Sequence, residues 1–212
     1  MCRILFVTSE RPFPVADELR AFQRVCLDSP EYQGHGWGMA LYADGERRIR
    51  KSINPIWKDD PEGFGEANAI VVHARSAFED RDIRIENNMP FFDDRLVFVF
   101  NGELRGVRIK SEGRIGAEKI FNFAKRFDKG DFLPALRKAT AVIAKRTAAL
   151  KAMNILVFDG ERAFVSSTFA EREEYFTMRV KRSDDALRIC SAPYLGEDDW
   201  QRIPNNSAEA YQ

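Results

Sequence analysis

Histidine is scarce in this chain: only His35 and His73 occur among 212 residues. Two widely separated imidazoles do not make a His-based metal cluster, so no metal and no cofactor are expected. Cysteine is nearly as rare. Cys2, Cys26 and Cys190 are odd in number and far apart, which disfavours a disulfide framework or a zinc site and suits reduced thiols. Net charge is also missing. Lys plus Arg and Asp plus Glu each total 33, an even balance that argues against nucleic acid or an anionic membrane as the main partner. No apolar run reaches the ~18 residues of a spanning helix. The N-terminus lacks the basic-then-apolar order of a signal peptide, so a cytoplasmic protein is expected. Internal repeats, low-complexity stretches and linkers are absent too. The expectation is one domain over residues 1–212, with 201–212 a frayed tail.

What is present is an ordinary core-forming composition, 44% apolar, distributed in short blocks. Residues 2–8 read as a buried strand broken by Arg11-Pro12-Phe13-Pro14. Leu19, Phe22, Val25 and Cys26 recur at helical spacing, which predicts a helix over 16–28. A hairpin follows around Asp44-Gly45. Two strongly apolar strands are predicted at 69–73 and 96–100, the second stopped by Asn101-Gly102. Helices are predicted at 116–127 and 132–150. Two hairpins close the chain, one around Asp159-Gly160 and one of Tyr175–Val180 with Ala186–Cys190 around Ser183-Asp184. Strands, then helices, then strands again is an α+β order rather than an alternating one.

The chemistry starts at Cys2. A small residue after Met1 favours removal of the initiator, which would place a thiol and a free α-amine on one residue. An α-amine has a reference pKa near ~7.7–8.0 and is partly unprotonated at neutral pH. A nucleophile and its general base would then share one residue, the thiol counterpart of a Thr–N-terminal-amine pair. Three strand ends accompany it: Gly36-Trp37-Gly38, His73-Ala74-Arg75 and Asn101-Gly102-Glu103. Each puts polar or glycine positions where a rigid apolar strand meets a loop. Taken singly, each has a plainer reading: a small core thiol, a turn for Asn-Gly, an ion pair for Arg75, core or a pocket wall for Trp37.

Together, Cys2 with its apolar strand, Gly34-His35-Gly36-Trp37-Gly38, His73-Ala74-Arg75, Asn88-Met89-Pro90-Phe91, Phe100-Asn101-Gly102-Glu103-Leu104, the late strand pairs and Trp200 resemble the class II glutamine amidotransferases. These form the branch of N-terminal-nucleophile hydrolases with a catalytic Cys, and the likeness is to their small single-domain members. The resemblance implies a four-layer αββα sandwich with two stacked antiparallel sheets. It implies Cys2 as nucleophile and its α-amine as proton carrier. The Asn101 side chain and the Gly102 N–H would be the oxyanion donors. Arg75 would be a bidentate clamp for a substrate carboxylate, with Ser76, Trp37 and position 116 also on the substrate side. The implied reaction is hydrolysis of an amide through a Cys2 thioester. An ammonia acceptor would have to be a separate synthase subunit.

The departures fall on the substrate side. Members of this family often carry a Thr-Asp-Ser-Glu run before the first of the two helices, and its Asp holds the glutamine α-amine. Here Ile115-Gly116-Ala117-Glu118 stands there, with Gly116 at the Asp position and Glu112 and Glu118 as the nearest acids. Met89 replaces the His of the usual Asn-x-His-Pro run, and Phe78 stands where Thr is common. The expectation is therefore a glutaminase-like amide hydrolase acting on glutamine, a γ-glutamyl compound or another small amide. The alternative is a non-catalytic binding or regulatory module that keeps the fold.

Overall fold

Ile4, Leu5, Phe6 and Val7 are fully buried because β1 (Arg3–Pro14) lies inside a sheet. It runs antiparallel to β4 (Glu66–Ala74) on one side and to β10 (Ala186–Cys190) on the other. The structure is a computed structural model and describes residues 1–77 and 81–212. It consists of two compact units. One is Met1–Pro90 with Met178–Ile203, and the other is Phe91–Thr177 with Pro204–Gln212.

The first unit is built on a seven-stranded sheet in the order β11-β9-β10-β1-β4-β2-β3. Here β2 is Trp37–Ala43, β3 Glu46–Ser52, β9 Arg179–Arg182 and β11 Gln201–Arg202. The apolar runs of β1 and β4 are too continuous for strands with one wet face. Residues of both faces of β4, among them Ile70, Val71 and Val72, are accordingly fully buried. One face belongs to a core with α1 (Val15–Leu27), which supplies Val15, Leu19, Phe22, Val25 and Cys26. Full burial of each larger side chain contributes roughly 1.5–3 kcal/mol. Glu18 is buried in the same helix, and its charge is matched. Arg188 donates twice to Oε1, at 2.9 and 2.7 Å, and the Tyr194 hydroxyl donates to Oε2 at 2.6 Å. This network ties α1 to β10.

The second unit carries a five-stranded sheet, β12-β8-β7-β6-β5, comprising Phe91–Phe92 (β5), Val97–Arg105 (β6), Ala149–Phe158 (β7), Ala163–Ser167 (β8) and Ser207–Tyr211 (β12). Two helices pack on it, α2 (Gly116–Lys125) and α3 (Phe132–Lys145). Phe121 stacks on Phe98 at 5.0 Å between centroids, and Phe132 meets Phe164 at 5.9 Å. The Asp131 carboxylate caps α3 by accepting from the Leu133 N–H at 3.3 Å. A one-turn helix, α4 (Glu173–Phe176), closes the unit.

Four expectations are corrected. Arg11-Pro12-Phe13-Pro14 does not end β1. An irregularity between Thr8 and Phe13 absorbs Pro12, and pairing with β4 resumes at Phe13↔Ala67 and Pro14↔Glu66. Asn101-Gly102 does not stop β6, which pairs with β7 straight through both residues. Residues 175–178 do not form a hairpin arm, because Tyr175 and Phe176 lie in α4. Residues 201–212 are not a frayed tail. Gln201–Arg202 pairs with β9, and Ser207–Tyr211 adds a strand to β8 over five residue pairs.

Candidate active site

In the first unit, antiparallel pairing brings the start of β1, the end of β4 and the start of β2 to one edge. Arg3 pairs with Ala74, and Ala74 pairs with Trp37. Cys2, Arg75 and Ser76 therefore converge from opposite chain directions. The Cys2 Sγ donates to the Ser76 carbonyl at 3.7 Å. Arg3 anchors the terminus through Ser29 Oγ at 3.3 Å and the Ser191 carbonyl at 3.2 Å. Met1 precedes the thiol. Its ammonium pairs with Glu31, and its carbonyl accepts from Gln33 Nε2 at 2.7 Å.

Burial pushes the Cys2 thiol above its ordinary value. The terminal ammonium, the bond to Ser76 and the Arg75 charge pull it down by less, while Glu31 pushes it up. The thiol is therefore neutral at physiological pH and needs a base to attack. The other two thiols are no better placed. Burial raises Cys26 well above the usual range and Cys190 to about 11. A pH dependence follows. With Met1 in place, alkylation of Cys2 by iodoacetamide, read by peptide mass, is slow near neutral pH and climbs through and beyond the ordinary thiol range of about 8.5. A rate already level by about pH 7.5 contradicts a raised thiol.

Arg75 is buried, and desolvation lowers its pKa, with Cys2 and Asp82 opposing. One guanidinium nitrogen donates to the Asp82 carbonyl at 2.9 Å and to Asn88 Oδ1 at 3.3 Å. Among the described residues no carboxylate lies within ion-pair distance of it. A buried guanidinium without a carboxylate retains affinity for one. Its backbone is held from both sides: the Arg75 N–H donates to the Gly36 carbonyl at 2.8 Å, and the His35 N–H donates to the Arg75 carbonyl at 3.1 Å. The His35 ring fixes the next turn, because its Nδ1 accepts from the Ala77 N–H at 2.9 Å. Both glycines of Gly36-Trp37-Gly38 are required. Gly36 has φ +103°, and a Cβ there would sit 2.1 Å from Asn88 Nδ2; a Cβ on Gly38 would sit 2.3 Å from the Met89 carbonyl. They let the segment carrying Asn88 lie against β2.

Trp37 takes the core position of its two plainer readings. Its indole is in the core, edge-on to Phe64, and its N–H donates to Asp59 Oδ2 at 2.9 Å. Phe78 and the start of the charged loop, 78–80, lie outside the described residues.

In the second unit the informative residue is Asn101. It is 1% exposed, and neither its Nδ2 nor its Oδ1 has a partner among the described residues. Its cross-strand neighbour Asn154 is equally buried but fully bonded. Asn154 donates to the Phe176 carbonyl at 2.6 Å and accepts from Ser167 Oγ at 3.1 Å and the Thr168 N–H at 3.3 Å. Two buried amides on one ladder thus differ completely in how they are satisfied. An unpaired buried amide costs roughly 1–3 kcal/mol, so Asn101 pays a stability penalty that Asn154 does not. Gly102 is required for a different reason: a Cβ there would sit 2.1 Å from the Ala152 carbonyl oxygen.

Gly116 begins α2, exposed and with open space around it. The nearby acid Glu118 is held by Arg114, which donates to it from its backbone N–H and its guanidinium at 2.6–3.0 Å. A surface groove in this unit, lined by residues of 109–112 with Asn122 and Arg126, contains none of the predicted site residues. Among the described residues no cluster of three or more His, Cys, Asp or Glu could hold a metal ion, and no helix is long and apolar enough to cross a membrane.

No family model matches the chain, and neither does any curated protein. Solved structures do. A glutamine aminotransferase class-II domain protein from Silicibacter pomeroyi matches with a TM-score of 0.67 at 15% identity, covering 99% of this chain and 98% of that one. The chain has the fold of such amidotransferase domains, α+β with two antiparallel sheets. A predicted glutamine amidotransferase from Pseudomonas aeruginosa matches with a TM-score of 0.61 at 18% identity, over 99% and 97% of the two chains. The glutamine phosphoribosylpyrophosphate amidotransferase of Bacillus subtilis matches all of this chain but only 49% of its own length, with a TM-score of 0.65 at 14% identity.

Proposed function

We propose that the protein is a glutaminase-type amide hydrolase that works through a thioester on Cys2. Removal of Met1 frees the Cys2 α-amine, which takes the thiol proton as sulfur attacks the amide carbon. The Asn101 side-chain N–H and the Gly102 backbone N–H stabilise the oxyanion of the tetrahedral intermediate. The same amine then protonates the leaving ammonia, and water hydrolyses the thioester. Arg75 binds the substrate carboxylate.

The observation that carries this reading is the Asn101 amide. A buried polar side chain with no partner among the described residues is free to bond a bound group. The raised Cys2 thiol supports the reading too, because a neutral thiol gives a terminal amine a role as base. A non-catalytic module is the second reading. It draws on the Met1 ammonium held by Glu31 and on the missing acid at Gly116. Ammonia release from glutamine and from γ-glutamyl amides, measured on protein whose N-terminus is Cys2, separates the two. Release from either class supports the hydrolase, and release from neither overturns it. Any transfer of that ammonia requires an acceptor synthase, whether domain or subunit, and the substrate is a small amide.

A further inference from the structure

The residue ahead of the nucleophile is itself bound like a ligand. The Met1 ammonium meets the Glu31 carboxylate, and the Met1 carbonyl oxygen meets the Gln33 amide. The contact is sheltered: the Met1 side chain is 9% exposed and that of Glu31 28%. Gln33 is 1% exposed, and its amide is fixed by Ser29 Oγ at 3.1 Å and the Glu31 carbonyl at 2.8 Å. An acceptor for a primary ammonium and a donor for a carbonyl oxygen together make a receptor for an α-aminoacyl group. It sits beside the reactive residue, since Met1 is bonded to Cys2 and the Cys2 Sγ meets the Ser76 carbonyl next to Arg75 at 3.7 Å.

Excision of Met1 removes the ammonium but not its acceptor. The position where related domains carry an amine-binding acid is Gly116, and Glu118 beside it is committed to Arg114. We infer that Glu31 holds the α-ammonium of the substrate in the place that the Met1 ammonium occupies before excision, opposite the Arg75 clamp for the carboxylate. The inference rests on the hydrolase reading. It defines the substrate class as a side-chain amide on a free α-amino acid, or a γ-glutamyl compound with its α-ammonium unblocked. Recognition of the zwitterion is thereby moved from the start of α2 to the stretch after α1.

The test uses Cys2-terminal protein and two probes, glutamine and glutaramate, the latter lacking only the ammonium. In Glu31→Gln the preference for glutamine over glutaramate, as the ratio of kcat/KM values, falls at least about tenfold, mainly through KM. An unchanged ratio, with both probes slowed alike and the pH profile displaced, places Glu31 on the Cys2 amine instead and overturns the inference. A second measurement does not need turnover. Calorimetric binding of glutamine to Cys2→Ala protein weakens at least about tenfold when Glu31→Gln is added. Equal affinity of the two, or no binding by Cys2→Ala, overturns the subsite while the ammonia assay still judges the hydrolase.

Discussion

Cys2→Ala abolishes ammonia release from any amide the protein turns over, a loss of at least about 10³-fold in kcat. Alanine at position 2 is as small as cysteine and still permits removal of Met1, so the variant keeps a terminal amine and loses only the sulfur. Without sulfur no thioester forms, and the base has nothing to deprotonate. The other thiols do not substitute. Cys26 and Cys190 are buried within the core of the first unit, with pKa values pushed up by that burial. The fold is expected to tolerate the change, because the Cys2 side chain makes a single long bond to the Ser76 carbonyl. Unchanged urea unfolding alongside lost activity is the pattern to look for. Release that persists in Cys2→Ala contradicts the mechanism.

The second large effect separates Asn101 from Asn154. Asn101→Ala lowers kcat by about 10²–10³, the loss expected for one oxyanion donor, or about 3–4 kcal/mol of transition-state stabilisation. Its effect on unfolding stays within about 1 kcal/mol. Relief of two buried polar atoms without partners among the described residues offsets the small cavity. Asn154→Ala does the reverse. It leaves the Phe176 carbonyl, the Ser167 hydroxyl and the Thr168 N–H without their partner and costs about 2–3 kcal/mol of stability. Denaturant unfolding and steady-state kinetics on both variants decide it. An Asn101→Ala protein that is strongly destabilised but fully active per folded molecule would make that residue structural.

The residues explain why some of this was legible in the sequence and some was not. Short apolar runs at Ile4–Val7-like density and at Ala69, Ile70, Val71 and Val72 admit little but buried strands, and the helical spacing of Leu19, Phe22 and Val25 locates α1 within a residue. Asn101-Gly102 misled, because the pair is a strong hairpin signal locally. In the folded chain it continues a strand, since Gly102 is the only residue that admits the Ala152 carbonyl. That the Asn101 amide has no partner among the described residues emerges only beside the bonded amide of Asn154. The closing strand β12 pairs with β8 some forty residues away in sequence, and its mixed Ser-Ala-Glu-Ala-Tyr composition carries no periodic signal. Trp37 beside two glycines suited core and pocket wall alike. Its N–H is taken by Asp59, a pairing that no local spacing announces. Glu31 was invisible for the same reason: an acid in Ser-Pro-Glu-Tyr looks like a turn residue until the chain terminus is laid on it.

The account stands on the claim that Cys2, once terminal, is a nucleophile toward an amide carbonyl. The most direct measurement is covalent trapping with a glutamine-analogue electrophile, followed by peptide mass analysis of protein with and without Met1. One adduct per chain is expected, on Cys2, in the Cys2-terminal protein, with slow or no labelling while Met1 remains. An adduct on Cys26 or Cys190, or equal labelling of both forms, would contradict it.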